Sequence, residues 1–448
     1  MRARSSGLSN ALTRASGGGA VPDRVNIVLL GLGVIGGGVA RALQERAETY
    51  SQRIGASLAL RRILERDLHK AEAVGVDPAL LTADAQEALS GDVDIVVELL
   101  GGEHPAYELI RDSLSRGRYV VTANKEVMAK HGPELLALAA ENGVDILYEA
   151  SVGGGIPIIS PLKRDLCANE ISSVRAIING TTNYILTRMS RDGLDFDVAL
   201  AQAQDLGYAE ADPTNDIDGH DAAYKVTILA SLAFRTPVRS EDVHREGIRR
   251  LAARDFRYAR ELGYAIKLLA VARREHSSVQ VRVHATLVPE DELLAKVDGA
   301  LNAVEIEGDL TGKVLFQGAG AGSLPTSSAV MADVLDAGRA LVLGTRPFPW
   351  RYTADLAVRP LAQLVTRYYI RLEVADQPGV LAGIARAFGD HQVSIASVIQ
   401  KETDEAAQTA ELVIMTHQAQ EEAVQATLAQ VRELPQVVSV SNFLRVDG

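Results

Sequence analysis

Between Glu210 and Lys225 the chain reads EADPTNDIDGHDAAYK, with five carboxylates inside twelve residues: Glu210, Asp212, Asp216, Asp218 and Asp221. Carboxylates so crowded repel one another, and their density makes most sense around a cationic ligand such as a substrate ammonium. Asp221 and Lys225 stand at i and i+4 as an apolar-periodic run, residues 226–234, begins. On a helix this spacing projects a carboxylate and an ammonium from one face, with Asp218 placed to cap the helix. Spacing alone would make this an ordinary exposed ion pair; the density of acids argues for a site.

Further groups could handle a nucleotide or a carbonyl. Gly31, Gly33 and Gly36 of GLGVIG, which also holds Val34 and Ile35, follow the apolar run 25–30. A strand, a tight glycine turn and a helix N-terminus suit a dinucleotide pyrophosphate, so the stretch is read as NAD(P)-binding. The 2′ group is read at the end of the second strand. There Arg66 favours NADPH, whereas Glu65 or Asp67 suits NADH, so the preference stays open. Lys125 ends Thr122-Ala123-Asn124-Lys125, at the carboxyl end of a parallel strand where open α/β sheets bind ligands. Asn179-Gly180-Thr181-Thr182-Asn183-Tyr184 reads only as a turn with capping hydroxyls. The histidines lack metal-ligand spacing, and His220 beside Asp221 reads as a local polar contact, so no transition-metal site is expected. The single cysteine, Cys167, rules out an internal disulfide framework, fits a reducing cytoplasm and is expected to be a buried small hydrophobe.

Alternating strand and helix patterns must position these groups. Strands are expected over residues 25–30, 57–65, 92–100, 118–122 and 144–149, with helices between them, one running from the glycine turn to about Ala47 and one opened by Pro105. This is a doubly wound α/β pattern. A glycine-rich loop at residues 151–157 then leads into an α+β region, residues 151–315, which includes an alternating strand at 278–288. The Gly-rich stretch 318–323 precedes a helix over 327–342, and residues 346–366 read as a linker. Residues 367–448 read strand 368–374, helix to about Gly389, strands 393–401 and 410–417, helix 420–432 and strand 437–444. That order is a ferredoxin-like βαββαβ module, with Tyr368, Ile370, Leu372 and Val374 on the face covered by helices.

Composition sets outer limits. The 448 residues carry 46 Lys and Arg against 58 Asp and Glu, a formal charge of −12, which argues against nucleic acid or anionic membrane as partners. No apolar run reaches the ~18–20 residues a membrane helix needs, the densest stretches being of the kind at 95–100. Residues 1–24 are rich in Arg, Ser and Gly and are expected to be a disordered tail, although a transit peptide shares this composition.

The acid-rich stretch, from Ala203 through Gly207-Tyr208, Asp212-Pro213, Asp216-Ile217, Gly219 and Asp221 to Lys225, resembles the homoserine dehydrogenase signature. GLGVIG, TANK at Thr122, EASVGGGIP at Glu149, NGTTNY at Asn179 and QGAGAGSLPT at Gln317 resemble that family in the same order, from about Val25 to Arg346. Asp376-Gln377-Pro378-Gly379-Val380-Leu381 resembles an ACT domain, a module that binds amino acids. The resemblance implies an NAD(P)-dependent enzyme of α/β fold that interconverts L-aspartate 4-semialdehyde and L-homoserine in the biosynthesis of threonine, methionine and isoleucine. Its parts would be a Rossmann-type domain over 25–150 completed by about 316–345, an α+β substrate and dimerisation domain over 151–315, and a C-terminal ferredoxin-like ACT domain.

By the same resemblance Lys225 is the proton donor and Lys125 the second positive charge, with Glu210, Asp216 and Asp221 holding substrate. Gly31, Gly33, Val34, Ile35, Gly36, Arg66, Gly101, Lys125, Gly207, Glu210 and Gly320 would contact NADP or NAD, NADP being slightly favoured. Glu149, Val152, Gly154 and Ile156 would hold a sodium ion, mostly through backbone carbonyls. L-Threonine is the expected effector, at Asp376, Gly379, Val380 and Leu381, and a cytoplasmic homodimer or homotetramer is expected. Removing residues 367–448 is expected to leave catalysis but abolish threonine inhibition. The alternative is a non-catalytic amino-acid sensor that retains a dinucleotide fold; both Lys125 and Lys225 are present, which favours the enzyme.

Overall fold

The computed structural model describes residues 22–345, 350–404 and 407–447. The first sheet comprises Arg24–Leu30 (β1), Ser57–Leu64 (β2), Leu81–Thr82 (β3), Ile95–Glu98 (β4), Tyr119–Thr122 (β5) and Ile146–Leu147 (β6). All neighbours pair in parallel in the order β3-β2-β1-β4-β5-β6. Ile27 to Leu30 are wholly buried, as in a strand covered on both faces by helices. Strand order reverses between β1 and β4, which opens a crevice at their carboxyl ends. Pattern alone misses β3, only two residues long, and the polar helix Ala47–Ile54, which follows Arg46 directly after the helix Val34–Glu45.

The second sheet is built from Ile171–Ile177 (β7), His244–Arg245 (β8), Tyr264–Glu275 (β9), Ser278–Pro289 (β10), Leu301–Gly308 (β11), Gly312–Ala319 (β12) and Ala357–Val358 (β13). It continues into Val365–Ala375 (β14), Ile395–Asp404 (β15), Thr409–Thr416 (β16), Ala419–Gln420 (β17) and Val437–Val446 (β18). The main path is β12-β11-β7-β9-β10-β18-β14-β16-β15, with β8 and β13 on β10 and β17 on β14. With helices Val380–Asp390 and Glu421–Arg432, the C-terminal strands form the expected βαββαβ module.

Its sheet is not independent. Thr286 and Leu287 of β10 pair in parallel with Arg445 and Val446 of β18, so one sheet runs through both parts. Tyr368, Ile370, Leu372 and Val374 do share the helix-covered face. The opposite face is buried as well, a departure from the one-sided expectation, because Tyr369 and Arg371 meet the preceding domain. Arg371 Nε donates to Asp255 Oδ1 (2.7 Å) and its Nη1 to Glu411 Oε1 (2.7 Å). Arg445 Nη2 donates to Glu421 Oε1 (2.7 Å) and Glu246 Oε1 (2.9 Å).

The helix Ser323–Leu343 returns to the first sheet's side of the molecule and crosses Val34–Glu45 closely. Ser323 Oγ donates to Val34 O (2.9 Å) and Ser327 Oγ to Ile35 O (3.2 Å), and a Cβ on Gly38 would overlap Ser327 Oγ. Residues 350–366 are strapped to the body. Trp350 and Tyr352 pack on the core, Thr353 and Ala354 donate their amides to Arg235 O (3.0 Å each), and β13 pairs with β10. The rest of the expected linker, 346–349, and residues 1–21 of the expected tail lie outside the described residues, whereas Arg24 opens β1.

Two local expectations are corrected. Cys167 is exposed, because it follows the helix Ile159–Lys163 in a turn whose inward position is taken by Leu166. Gly219, at φ +80°, and not Asp218, caps the helix His220–Ala233; the Asp218 carboxylate is drawn to Arg249 Nε (2.6 Å). Among the described residues no helix is long and apolar enough to cross a membrane.

Candidate active site

Lys125 is the first residue of the helix Lys125–Glu141, directly behind β5, and a buried polar chain fixes its position. Thr122 Oγ1 donates to Glu98 Oε2 (2.6 Å), Asn124 N donates to Thr122 Oγ1 (2.9 Å), and Asn124 Oδ1 caps Val127 N (3.1 Å). Asn124 Nδ2 also donates to Gly102 O (2.7 Å), holding the exposed loop of Gly101 beside Lys125. Burial pushes the Glu98 carboxyl up, against its hydrogen bonds from Thr122 and Leu100.

The helix His220–Ala233 packs on Lys125–Glu141 and brings Asp221 between two lysines. Lys125 Nζ donates to Asp221 Oδ1, and Lys225 Nζ donates to Asp221 Oδ2 (2.7 Å) and Ile178 O (2.8 Å). Side-chain exposure is 4% for Asp221, 12% for Lys225 and 43% for Lys125, so the two ammoniums differ in solvation. Burial works against the Asp221 carboxylate, yet the two lysines outweigh it and hold it far below its ordinary range. Lys225 moves down, because burial and the Lys125 charge together exceed the pull of Asp221. Lys125 moves up, because Asp221 exceeds its desolvation. One carboxylate thus separates two lysines into a weaker and a stronger base.

Asn179, to which no chemistry is assigned from sequence, proves to be part of the cluster. As N-cap of the helix Gly180–Asp192 it accepts from Thr182 N (2.8 Å). Its amide then donates to Asp216 Oδ1 (2.7 Å) and Asp221 Oδ2 (2.9 Å), tying two carboxylates together. Burial and the nearby Asp221 charge raise the Asp216 carboxyl, against the Asn179 hydrogen bond. Lys125, Glu210, Asp216, Asp221, Asn215 and Tyr224 line a cavity of about 380 Å³. Of the five clustered acids, Asp218 turns away to Arg249, and Asp212 accepts from Thr214 N (3.1 Å) at the rim.

At the switch point Gly31 has φ +99°, and a Cβ there would lie 2.7 Å from Leu99 O; a Cβ on Gly36 would overlap the Gly31 carbonyl. Gly33 opens the helix Val34–Glu45 with no side-chain cap, no acid in the first turn and open space where a Cβ would point. Val34 is exposed and Ile35 half-buried, so these first-turn amides suit a pyrophosphate. Glu65 is otherwise engaged: it accepts from Leu32 N (3.0 Å) and Asp67 N (3.2 Å) and pairs with Lys70 (3.1 Å). Arg66 is exposed and makes no ion pair among the described residues.

Gly207, at φ +75°, follows the helix Phe196–Asp205 on the surface. The loop of Gly320 touches that of Gly154, where Gly155 N donates to Ala319 O (3.1 Å). The Glu149 carboxylate accepts from Ile158 N (2.5 Å), Ile159 N (2.8 Å) and Ser160 N (2.7 Å), so it is committed to a helix start. The carbonyls of Val152, Gly154 and Ile156 accept no hydrogen bond among the described residues, which fits hard-oxygen donation to a cation. No group of three or more His, Cys, Asp or Glu side chains suited to a metal occurs among the described residues. Asp376, Gly379 and Leu381 are exposed and Val380 buried at the start of Val380–Asp390; the cavity of the lysine cluster does not include them.

A Rossmann sheet with an uncapped helix at its switch point, a polar cleft lined by Lys125 and by the Asp221 that also pairs with Lys225, and an appended βαββαβ module define an NAD(P)-dependent oxidoreductase acting on a small molecule. Family models agree: the homoserine dehydrogenase NAD-binding domain matches residues 31–149, homoserine dehydrogenase residues 157–335 and the ACT domain residues 368–436. A homoserine dehydrogenase of Neisseria gonorrhoeae is 41% identical over 95% of this chain and 99% of its own. A crystal structure of a homoserine dehydrogenase from Thiobacillus denitrificans aligns with TM-score 0.89 at 43% identity, covering 95% and 99% of the two chains. A hyperthermophilic archaeal homoserine dehydrogenase in complex with NADPH aligns over 70% of this chain and 97% of its own, at 32% identity and TM-score 0.60. The chain belongs to the homoserine dehydrogenase family, as the resemblance of its motifs implies.

Proposed function

We propose that Lys125, Asp221 and Lys225 are the catalytic centre for interconverting L-aspartate 4-semialdehyde and L-homoserine. The observation that carries this reading is the shared buried carboxylate between a lysine shifted down and a lysine shifted up. A bound nicotinamide dinucleotide supplies or accepts hydride at the carbonyl carbon. Lys225, the weaker base of the two, gives its proton to the substrate oxygen as negative charge develops there and takes it back in oxidation. Lys125 keeps its charge, polarises the carbonyl and stabilises the developing alkoxide. Glu210 and Asp216 face the cavity where the substrate ammonium would sit, and that positive charge would oppose the burial and the Asp221 charge that raise the Asp216 carboxyl.

The finer assignments follow the same reasoning. Residues 25–150 with about 316–345 form the dinucleotide-binding domain, 151–315 the substrate and dimerisation domain, 346–366 the linker and 367–448 the regulatory domain. Gly31, Gly33, Val34, Ile35, Gly36, Gly101, Gly207 and Gly320 surround the dinucleotide. NADP is the preferred cofactor, supported by the free Arg66 guanidinium and the prior engagement of Glu65. A sodium ion would take the carbonyls of Val152, Gly154 and Ile156, with Glu149 supplying only backbone. L-Threonine would bind its carboxylate at the uncapped amides that follow Gly379, inhibiting a cytoplasmic homodimer or homotetramer.

The test is the initial rate of L-homoserine oxidation near pH 9 with NADP⁺ and with NAD⁺, each with and without millimolar L-threonine. Turnover that is faster with NADP⁺ and falls with threonine supports the whole reading. Turnover insensitive to threonine refutes the regulatory part, and no turnover with either cofactor refutes the catalytic part. An Asp376→Ala enzyme separates the effector site: it should lose threonine inhibition at unchanged basal rate.

A further inference from the structure

A cavity of about 450 Å³ lies where the C-terminal module meets the substrate domain, and it shares no lining residue with the cleft of the lysine cluster. Its apolar lining includes the buried Leu251, Leu428 and Leu444. The lining carboxylates are already paired: Asp218 with Arg249 (2.6 Å), and Glu246 with Arg445 (2.9 Å), a guanidinium it shares with Glu421. Two further guanidiniums, of Arg250 and Arg432, line the same space, are exposed, and have no ion-pair or hydrogen-bond partner among the described residues. Two guanidiniums with no carboxylate of their own among the described residues thus stand beside apolar side chains in one cavity of a chain whose formal charge is −12.

We propose that this cavity binds a small organic dianion, a dicarboxylate or a phosphate monoester, with Arg250 and Arg432 on its acidic oxygens and the leucines against its carbon body. Such a ligand ties two modules together, because Arg432 ends the helix Glu421–Arg432 while Arg250 belongs to the segment that supports the active site. In that segment Ile248 N donates to Ile217 O (2.9 Å), one residue beyond Asp216, and a Cβ on Gly247 would overlap the same carbonyl. The site is distinct from the Asp376 loop and does not depend on threonine binding there.

Calorimetric titration tests it, with inorganic phosphate and succinate as separate probes at constant ionic strength. NADPH and L-homoserine, which cannot react with each other, fill the cofactor and substrate sites. Saturable binding is expected for the wild-type chain, with Kd raised at least tenfold in Arg250→Ala/Arg432→Ala, about 1.4 kcal/mol. It should be unchanged in Arg53→Ala, which removes an exposed guanidinium elsewhere. Binding of phosphate alone identifies a phosphate ligand and of succinate alone a dicarboxylate. No saturable binding of either probe, or equal binding by the double variant, overturns the proposal; unchanged circular dichroism of the variant makes that comparison valid.

Discussion

Replacing Lys225 with methionine isolates the proton transfer. The change removes an ion pair to Asp221 (2.7 Å) and a hydrogen bond to Ile178 O (2.8 Å) and fills the space with an apolar chain of similar length. At an effective dielectric of about 20 the Coulomb attraction at this separation is about 6 kcal/mol, most of which is offset by the desolvation that no longer has to be met. Asp221 is not orphaned, because Lys125 and Asn179 still donate to it. The net cost is therefore about 1–3 kcal/mol, within the ~5–15 kcal/mol stability of a typical domain, and the variant should fold. Loss of a general acid typically lowers kcat about 10²–10⁴-fold, or about 3–5 kcal/mol of barrier. Affinity for NADPH should be unchanged, because the glycine turn lies on other elements.

The pH profile adds a second reading of the same variant. Oxidation needs a neutral amine, so wild-type kcat should rise with pH through a group titrating below the ordinary lysine range, as burial beside Lys125 dictates. That limb should vanish in Lys225→Met. The assays are steady-state rates of homoserine oxidation from pH 6 to 10, fluorescence titration of NADPH and urea unfolding. A kcat within about threefold of wild type, or persistence of the limb in a folded variant, would refute the assignment of Lys225.

Other perturbations test separate parts of the argument. Asp221→Asn removes the charge that supports both ammoniums, so the wild-type limb should move to lower pH while kcat falls; a limb moving to higher pH contradicts the electrostatic account. Gly36→Ala forces a Cβ into the Gly31 carbonyl and should cost about 1–3 kcal/mol and weaken NADPH binding more than tenfold by fluorescence titration. His284 is held neutral by burial and by Arg445 and Arg282, well below its unfolded pKa of about 6.5. The unfolded chain alone then takes up a proton as pH falls below that value, so this group withdraws up to about 1.4 kcal/mol of stability per pH unit. Urea midpoints at pH 7, 6 and 5 should show a shallower slope in His284→Gln, and an unchanged slope would relocate the linkage. Removing residues 367–448 takes Arg371, Arg445 and Asp447 away from Asp255, Glu246 and Arg175 and uncovers the apolar side chains that pack around Tyr369 and Leu444. The truncated chain should unfold or precipitate, contrary to the expectation from sequence that catalysis survives; a soluble, active truncation would contradict the buried network.

Local rules acting over a few residues made much of this protein legible. The glycine turn is readable because a crowded approach and a positive φ at Gly31 admit almost no other residue type. The pairing of Asp221 with Lys225 follows from helical periodicity, and the βαββαβ order of the C-terminal module from alternation between turn signals. Those patterns, with the motifs of the family, identify the enzyme. Other features depend on which distant segments meet, and no local pattern encodes that. Lys125 reaches Asp221 across 96 positions and Arg445 reaches Glu246 across 199, so topology alone decides that one carboxylate is shared between two lysines and that the ACT module is bolted to the domain before it. Asn179 reads as a helix cap from its neighbours and becomes part of the site only where the fold places Asp216 and Asp221 against it. Asp218, one of five similar acids by sequence, is taken out of the cleft by Arg249, a partner 31 residues away. Sequence thus determined the elements and their chemical groups through short-range sterics and periodicity. Tertiary structure decided which charges are buried together, because desolvation and Coulomb interaction depend on distance in space and not along the chain.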